Sequence, residues 1–131
     1  MGIWDWINGN SSDAYLTQVE EHLSRRLRVP SEMLSTVRTS KLKDVVENGR
    51  RNRDSVVATS LRIGMTFYAT YLTGDKKQRA LARRLYLPLK TFVGAAGADG
   101  EISLNECSYY DAVIGKSTRE DMLKHGLENE D

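Results

Sequence analysis

The sequence predicts an all-α protein, a compact bundle of six to seven helices around a central apolar helix. Three observations carry this. Apolar residues recur at three- and four-residue spacing along most of the 131 residues. No run alternates with the period of two that a strand requires, and the joints are short and rich in Gly, Ser, Asp and Asn. Helices connected in this way bury their apolar stripes against one another.

Taken in order, residues 3–8 form a short apolar head with Ile3, Trp4, Trp6 and Ile7, and Asn8-Gly9-Asn10 breaks it. Ser11, Ser12 or Asp13 then caps a helix to about Arg28, with Tyr15, Leu16, Val19, Leu23 and Leu27 at helical spacing. Pro30 ends it, and Ser31 opens a short helix around Met33 and Leu34. A third helix runs from about Ser40 to Asn48, with Leu42, Val45 and Val46 as its stripe and Gly49 as its cap. Arg50 to Arg53 make a polar joint. Asp54 or Ser55 starts the apolar helix, which runs through Leu72 and carries Val56, Val57, Leu61, Met65, Phe67 and Tyr68; Gly74 stops it. Asp75 caps the next helix, which buries Leu81, Leu85, Leu87, Leu89, Phe92 and Val93, and Pro88 should bend or split it near Leu87. Ser103-Leu104-Asn105-Glu106 reads as a capping box for a helix closing at Gly115. Ser117-Thr118-Arg119-Glu120 reads as a second box, opening a last helix to about His125, with Gly126 as its stop. The expected organisation is a head at 1–10, one helical domain at 11–126 and a frayed acidic tail at 127–131.

Composition narrows the function classes. A 40% apolar content and two prolines argue against extensive disorder. The single cysteine, Cys107, excludes an internal disulfide, and the opening residues lack the basic and long apolar segments of a secretory leader, so a cytoplasmic location is expected. Residues 55–73 contain Arg62 as their one basic residue and no acid, yet their Ser and Thr positions and Gly64 make them a buried helix rather than a membrane span. The net charge of +1 conceals a gradient: residues 36–92 hold thirteen Lys/Arg against four acids, while residues 93–131 hold three against nine. Such asymmetry points to a partner, or to two faces that answer each other.

The acidic turn Ala98-Asp99-Gly100-Glu101-Ile102-Ser103 is the first candidate site, because Asp99, Glu101 and Glu106 are close enough in sequence to hold a divalent cation. It does not make an EF-hand: with Gly100 at the sixth loop position, the first and third are Ala95 and Gly97, which have no carboxylate. The competing reading is an ordinary helix joint, with Asp99 closing the loop and Glu106 capping the helix. An apolar helix, then Ala-Asp-Gly-Glu-Ile-Ser, then a helix with Glu three residues on, resembles the repeated turn of the tellurite-resistance TerB-like family. The opening Met-Gly-Ile-Trp-Asp-Trp-Ile is similar to starts in that group, and a faint echo lies at Thr73-Gly74-Asp75. The resemblance covers residues 54–115. It implies an all-α fold, a cation site drawing on Asp99, Glu106 and a second acidic cluster, and a place in bacterial or phage stress or defence biology. The first half-repeat departs from the pattern, with Thr73 and Lys76-Lys77 where acids are wanted.

A basic middle, 38–90, is the second candidate. Lys41, Lys43, Arg50, Arg51, Arg53, Lys76, Lys77, Arg79, Arg83 and Arg84 would bind a protein partner or a nucleic-acid backbone if the fold gathers them. At the head, Trp4 and Trp6 are candidates for docking on the domain itself, on a partner or on a membrane interface. Catalytic signals are weak: His22 sits beside Glu20 and Glu21, His125 suits a helix C-terminus, and Cys107 has no sequence-identifiable base. The expectation is a non-enzymatic binding protein, with a divalent cation as its one candidate cofactor and no small-molecule substrate evident. The partner is a protein, with nucleic acid or peripheral membrane as alternatives.

Overall fold

A computed structural model describes residues 11–39 and 41–125, without the side chains of 11–13, 39 and 125. The head with Trp4 and Trp6, the choice of cap among Ser11, Ser12 and Asp13, and the tail after His125 lie outside what is described. Among the described residues six helices occur in order: α1 (Ser11–Arg25), α2 (Ser31–Thr39), α3 (Leu42–Arg51), α4 (Val56–Leu72), α5 (Lys76–Ala98) and α6 (Leu104–His125). No strand occurs among the described residues. The chain divides into two compact units, Met1–Gly64 and Met65–Asp131, and the division falls inside α4.

In the first unit α1, α2 and α3 touch one another pairwise. The buried apolar residues of this unit are Val19, Leu23, Met33, Val37, Leu42 and Val46 from these helices, Leu27 and Val29 from the α1–α2 joint, and Leu61 and Ile63 from α4. Burial of each such side chain is worth about 1.5–3 kcal/mol. Arg38 ties α2 to α1 with a two-pronged contact to Glu20, at 2.6 and 3.2 Å. Ser55, not Asp54, caps α4: its hydroxyl accepts the Ala58 amide at 3.0 Å, which frees the Asp54 carboxylate to take Arg62 at 2.7 Å.

Gly49 does not end α3. The helix runs on to Arg51 and closes with the Asp54 amide donating to the Gly49 carbonyl and the Arg53 amide donating to the Arg50 carbonyl. This is the two-bond closure that favours a left-handed residue at the position after the cap. Arg53 holds that position with φ 58°. Gly49 instead serves a close approach. A methyl group there would collide with Thr59 Oγ1 and come within 3.1 Å of the Tyr15 hydroxyl. Those two oxygens share a 2.6 Å hydrogen bond, and Tyr15 also donates to the Asp54 carbonyl at 3.0 Å. One tyrosine of α1 thus links the end of the α3–α4 joint to the buried Thr59 of α4, across the bare backbone of α3.

The second unit holds the rest of α4 with α5 and α6, and the last two pack along each other. Its buried residues include Phe67, Tyr68, Leu72, Ala82, Leu85, Leu89, Phe92, Val93, Ala96, Ile102 and Ile114. Asp75 starts α5 in a full capping box, accepting the Gln78 amide at 2.9 Å while the Gln78 side chain accepts the Asp75 amide at 3.1 Å. Pro88 does not split α5, which is helical from Lys76 to Ala98. The carbonyl it leaves unserved belongs to Arg84, and buried Leu85, Leu89 and Phe92 hold the helix on both sides. Gly115 likewise does not close a helix. α6 continues to His125, and Thr118, expected in a cap, spends its hydroxyl on the Ile114 carbonyl at 2.8 Å within the helix.

Alanine is favoured over glycine in a helix interior by about 1 kcal/mol, so Gly49→Ala would stabilise α3 if space allowed. The collision with Thr59 should win, at a net loss of about 1–3 kcal/mol. Urea unfolding measures it, and adding Thr59→Ala should recover part of the loss. A Gly49→Ala protein as stable as the parent would show that the three helices have room to spare.

Candidate functional site

The acidic turn is built as a helix stop. Asp99 is the C-terminal cap of α5, and Gly100 follows at φ 77°. The Glu101 amide donates to the Ala96 carbonyl at 2.9 Å and the Gly100 amide to the Gly97 carbonyl at 3.3 Å. This is the same closure as at the end of α3, here with the glycine it favours. Buried Ile102 anchors the turn, and Ser103 accepts the Glu106 amide at 3.1 Å while donating its hydroxyl to the Glu106 carboxylate at 3.2 Å. Asp99, Glu101 and Glu106 are exposed. Among the described residues no three His, Cys, Asp or Glu side chains are grouped to hold a metal ion. Glu106 takes part in the cap of α6 and Gly100 supplies the left-handed turn, so the geometry around Asp99, Glu101 and Glu106 is that of a helix joint.

Cys107 packs against α5. A methyl group on Gly97 would meet its sulfur at 2.8 Å and its Cβ at 3.0 Å, and the thiol points at the Val93 carbonyl, 3.6 Å away. Glycine on α5 lets the first turn of α6 approach at this point.

The basic residues differ in their surroundings. Arg50 pairs with Glu47 at 3.1 Å, and Arg79 donates to the Gly74 carbonyl at 2.8 Å, serving the end of α4. Arg83 is half-buried. Lys41, Lys43, Arg51 and Arg53 are exposed in the first unit, and Lys76, Lys77 and Arg84 in the second.

One feature of the second unit was not legible in the sequence. A cleft of about 420 Å³ is lined by Tyr68, Leu72, Arg83, Tyr86, Gly115, Thr118, Arg119, Asp121 and Met122. Tyr68 is 2% exposed, and its hydroxyl has no hydrogen-bond partner. Burial, then the neighbouring Tyr86 and Asp121, push its pKa well above the usual phenol range. Asp121 is buried as well, while Arg119 is exposed. Periodicity makes Tyr68 a packing residue and Gly115 reads as a helix stop; nothing in their spacing marks a concavity.

No family model matches the chain, and neither a curated protein nor a solved structure matches it. No helix among the described residues is long and apolar enough to cross a membrane.

If the turn is a helix stop, Ser103→Ala should cost about 1 kcal/mol through loss of the cap, and Asp99→Asn should be nearly neutral. Millimolar calcium or magnesium should leave the thermal midpoint of the parent unchanged. A metal-induced rise that Asp99→Asn removes would establish the cation site.

Proposed function

We propose that this chain is a non-enzymatic binding protein that acts by contact with a protein partner bearing an acidic surface. The observation that carries the reading is the location of four exposed cations where the fold alone would do better without them. The two non-glycine residues with positive φ among those described are Arg28, at 53°, and Arg53, at 58°. Left-handed backbone costs a non-glycine residue about 1–2 kcal/mol. Lys76 and Lys77 occupy the first turn of α5, which has no acid, where the helix dipole disfavours positive charge. By contrast, Arg25 and Arg50 lie at the favourable end of their helices, and Arg38 and Arg62 are paired.

A protein surface is favoured over a nucleic-acid backbone by Leu87, which is 67% exposed on α5. It lies three residues from each of the exposed Arg84 and Lys90. Phosphates gain nothing from an exposed leucine, whereas an acidic surface with an apolar hollow would use both. The likeness to TerB-like proteins is retained in this proposal as a likeness of helix, turn and helix around Ala98 to Glu106, without the cation.

The test is a substitution that separates stability from binding. Arg53→Gly should raise unfolding stability by about 0.5–1 kcal/mol, and Lys76→Glu with Lys77→Glu should raise it by a few tenths to about 1 kcal/mol each. Each variant should lose a stoichiometric acidic protein that the parent captures from its native extract. Retained capture by both variants would overturn the reading. So would a parent that captures nothing but binds generic duplex DNA with a steep salt dependence.

A further inference from the structure

We propose that the cleft in the second unit is a binding site for a small monocarboxylate with an apolar body, whose carboxylate accepts a hydrogen bond from the Tyr68 hydroxyl. All nine lining residues lie between Tyr68 and Met122, so the site belongs to one unit. Its volume, about 420 Å³, falls within the range of small-ligand pockets.

Two independent features point to an occupant. The first is Tyr68. A buried hydroxyl without a partner is disfavoured, and native proteins leave few of them. Tyr68 lines a cleft while its hydroxyl is closed off from solvent, so an acceptor brought by a ligand would satisfy it once the lining side chains shift. The second is Gly115. It lies in the middle of α6, where glycine weakens a helix. Unlike Gly49 and Gly97, it faces no close neighbour: a methyl group there would meet nothing within 4 Å. Packing does not require this glycine, nor Gly94 on α5, but of the two only Gly115 lines the cleft.

The lining sets the ligand class. Leu72, Met122 and the Tyr86 ring offer apolar surface, and Tyr86 in turn carries Lys90 above its face at 5.9 Å. Arg83 and Arg119 bring two positive charges and Asp121 one negative, so the wall is left with a single positive charge and suits a monoanion. A planar carboxylate matches both the guanidinium fork and the phenol donor. A divalent anion would leave one charge uncompensated in a mostly apolar cleft.

The experiment uses the full chain and two matched pairs of probes: hexanoate with hexanol, and benzoate with benzyl alcohol. Isothermal titration and ligand-observed NMR should show saturable binding of at least one carboxylate, about tenfold tighter than its alcohol. Tyr68→Phe keeps the ring and removes the donor. It should weaken the carboxylate about tenfold while leaving the apo protein at least as stable. It should also flatten the loss of stability as pH rises above about 10. That loss arises because the folded state holds the phenol protonated after the unfolded chain has released its proton. Gly115→Leu should raise the thermal midpoint and abolish binding by filling the cleft, and Arg119→Gln should narrow the preference for carboxylate over alcohol. Failure of every carboxylate to saturate would mean that water alone meets Tyr68 and would overturn the proposal. Equal binding of acid and alcohol, or full affinity in Tyr68→Phe, would overturn it too. None of these readouts involves the acidic partner, so either proposal can fail while the other stands.

Discussion

Each unit of this protein closes around a glycine that has no room for a methyl group. At Gly49 the obstruction is Thr59 with the Tyr15 hydroxyl, and at Gly97 it is Cys107. Both glycines lie inside helices, where they weaken the backbone locally. In return they let polar or polarisable groups of a neighbouring helix sit directly on the backbone. The Tyr15 and Thr59 oxygens, 2.6 Å apart, would otherwise have to separate, leaving buried Thr59 short of a partner. The Cys107 sulfur reaches towards the Val93 carbonyl from the same kind of approach. The apolar residues determine that the helices pack; these two positions determine how closely.

That constraint explains what the sequence reveals and what it conceals. The all-α class follows from periodicity, and the Asp75 and Ser103 caps follow from the need of the first helical amides for acceptors. Both are local physics, and the structure contains both. Glycine is the residue whose meaning is not local. Gly100 takes the left-handed position that ends α5, the role that Gly49 and Gly115 also suggest from sequence. Yet α3 passes through Gly49 and α6 passes through Gly115. What separates the three is the neighbour each one faces, and that neighbour comes from elsewhere in the fold. The cleft is concealed for the same reason, since its lining comes from α4, α5 and α6 and shares no motif.

The acidic turn shows a related limit. Three carboxylates within eight residues suggest shared chemistry, but the backbone closure at Ala96 and Gly97 calls only for Gly100, and Ser103 engages Glu106. Proximity in sequence is not convergence in space. A turn that ends one helix and starts another needs acceptors at the start of the second, and acids there also suit its dipole.

The most useful residues for function are those that the fold would not choose. Arg53 occupies a position that Gly100 shows to be made for glycine, in the same two-bond closure. Lys76 and Lys77 stand at the wrong end of a dipole that Arg50 and Arg51 use correctly on α3. Tyr68 buries a donor without an acceptor, and Gly115 forgoes a side chain that would fit. A sequence shaped by stability alone would drift away from each of these states, because a single substitution relieves each one. They also separate by kind. The cations are exposed and occur in both units, while the phenol and the glycine line one cleft in the second. Two sorts of local disadvantage, kept in different places, are better explained by two different contacts than by one.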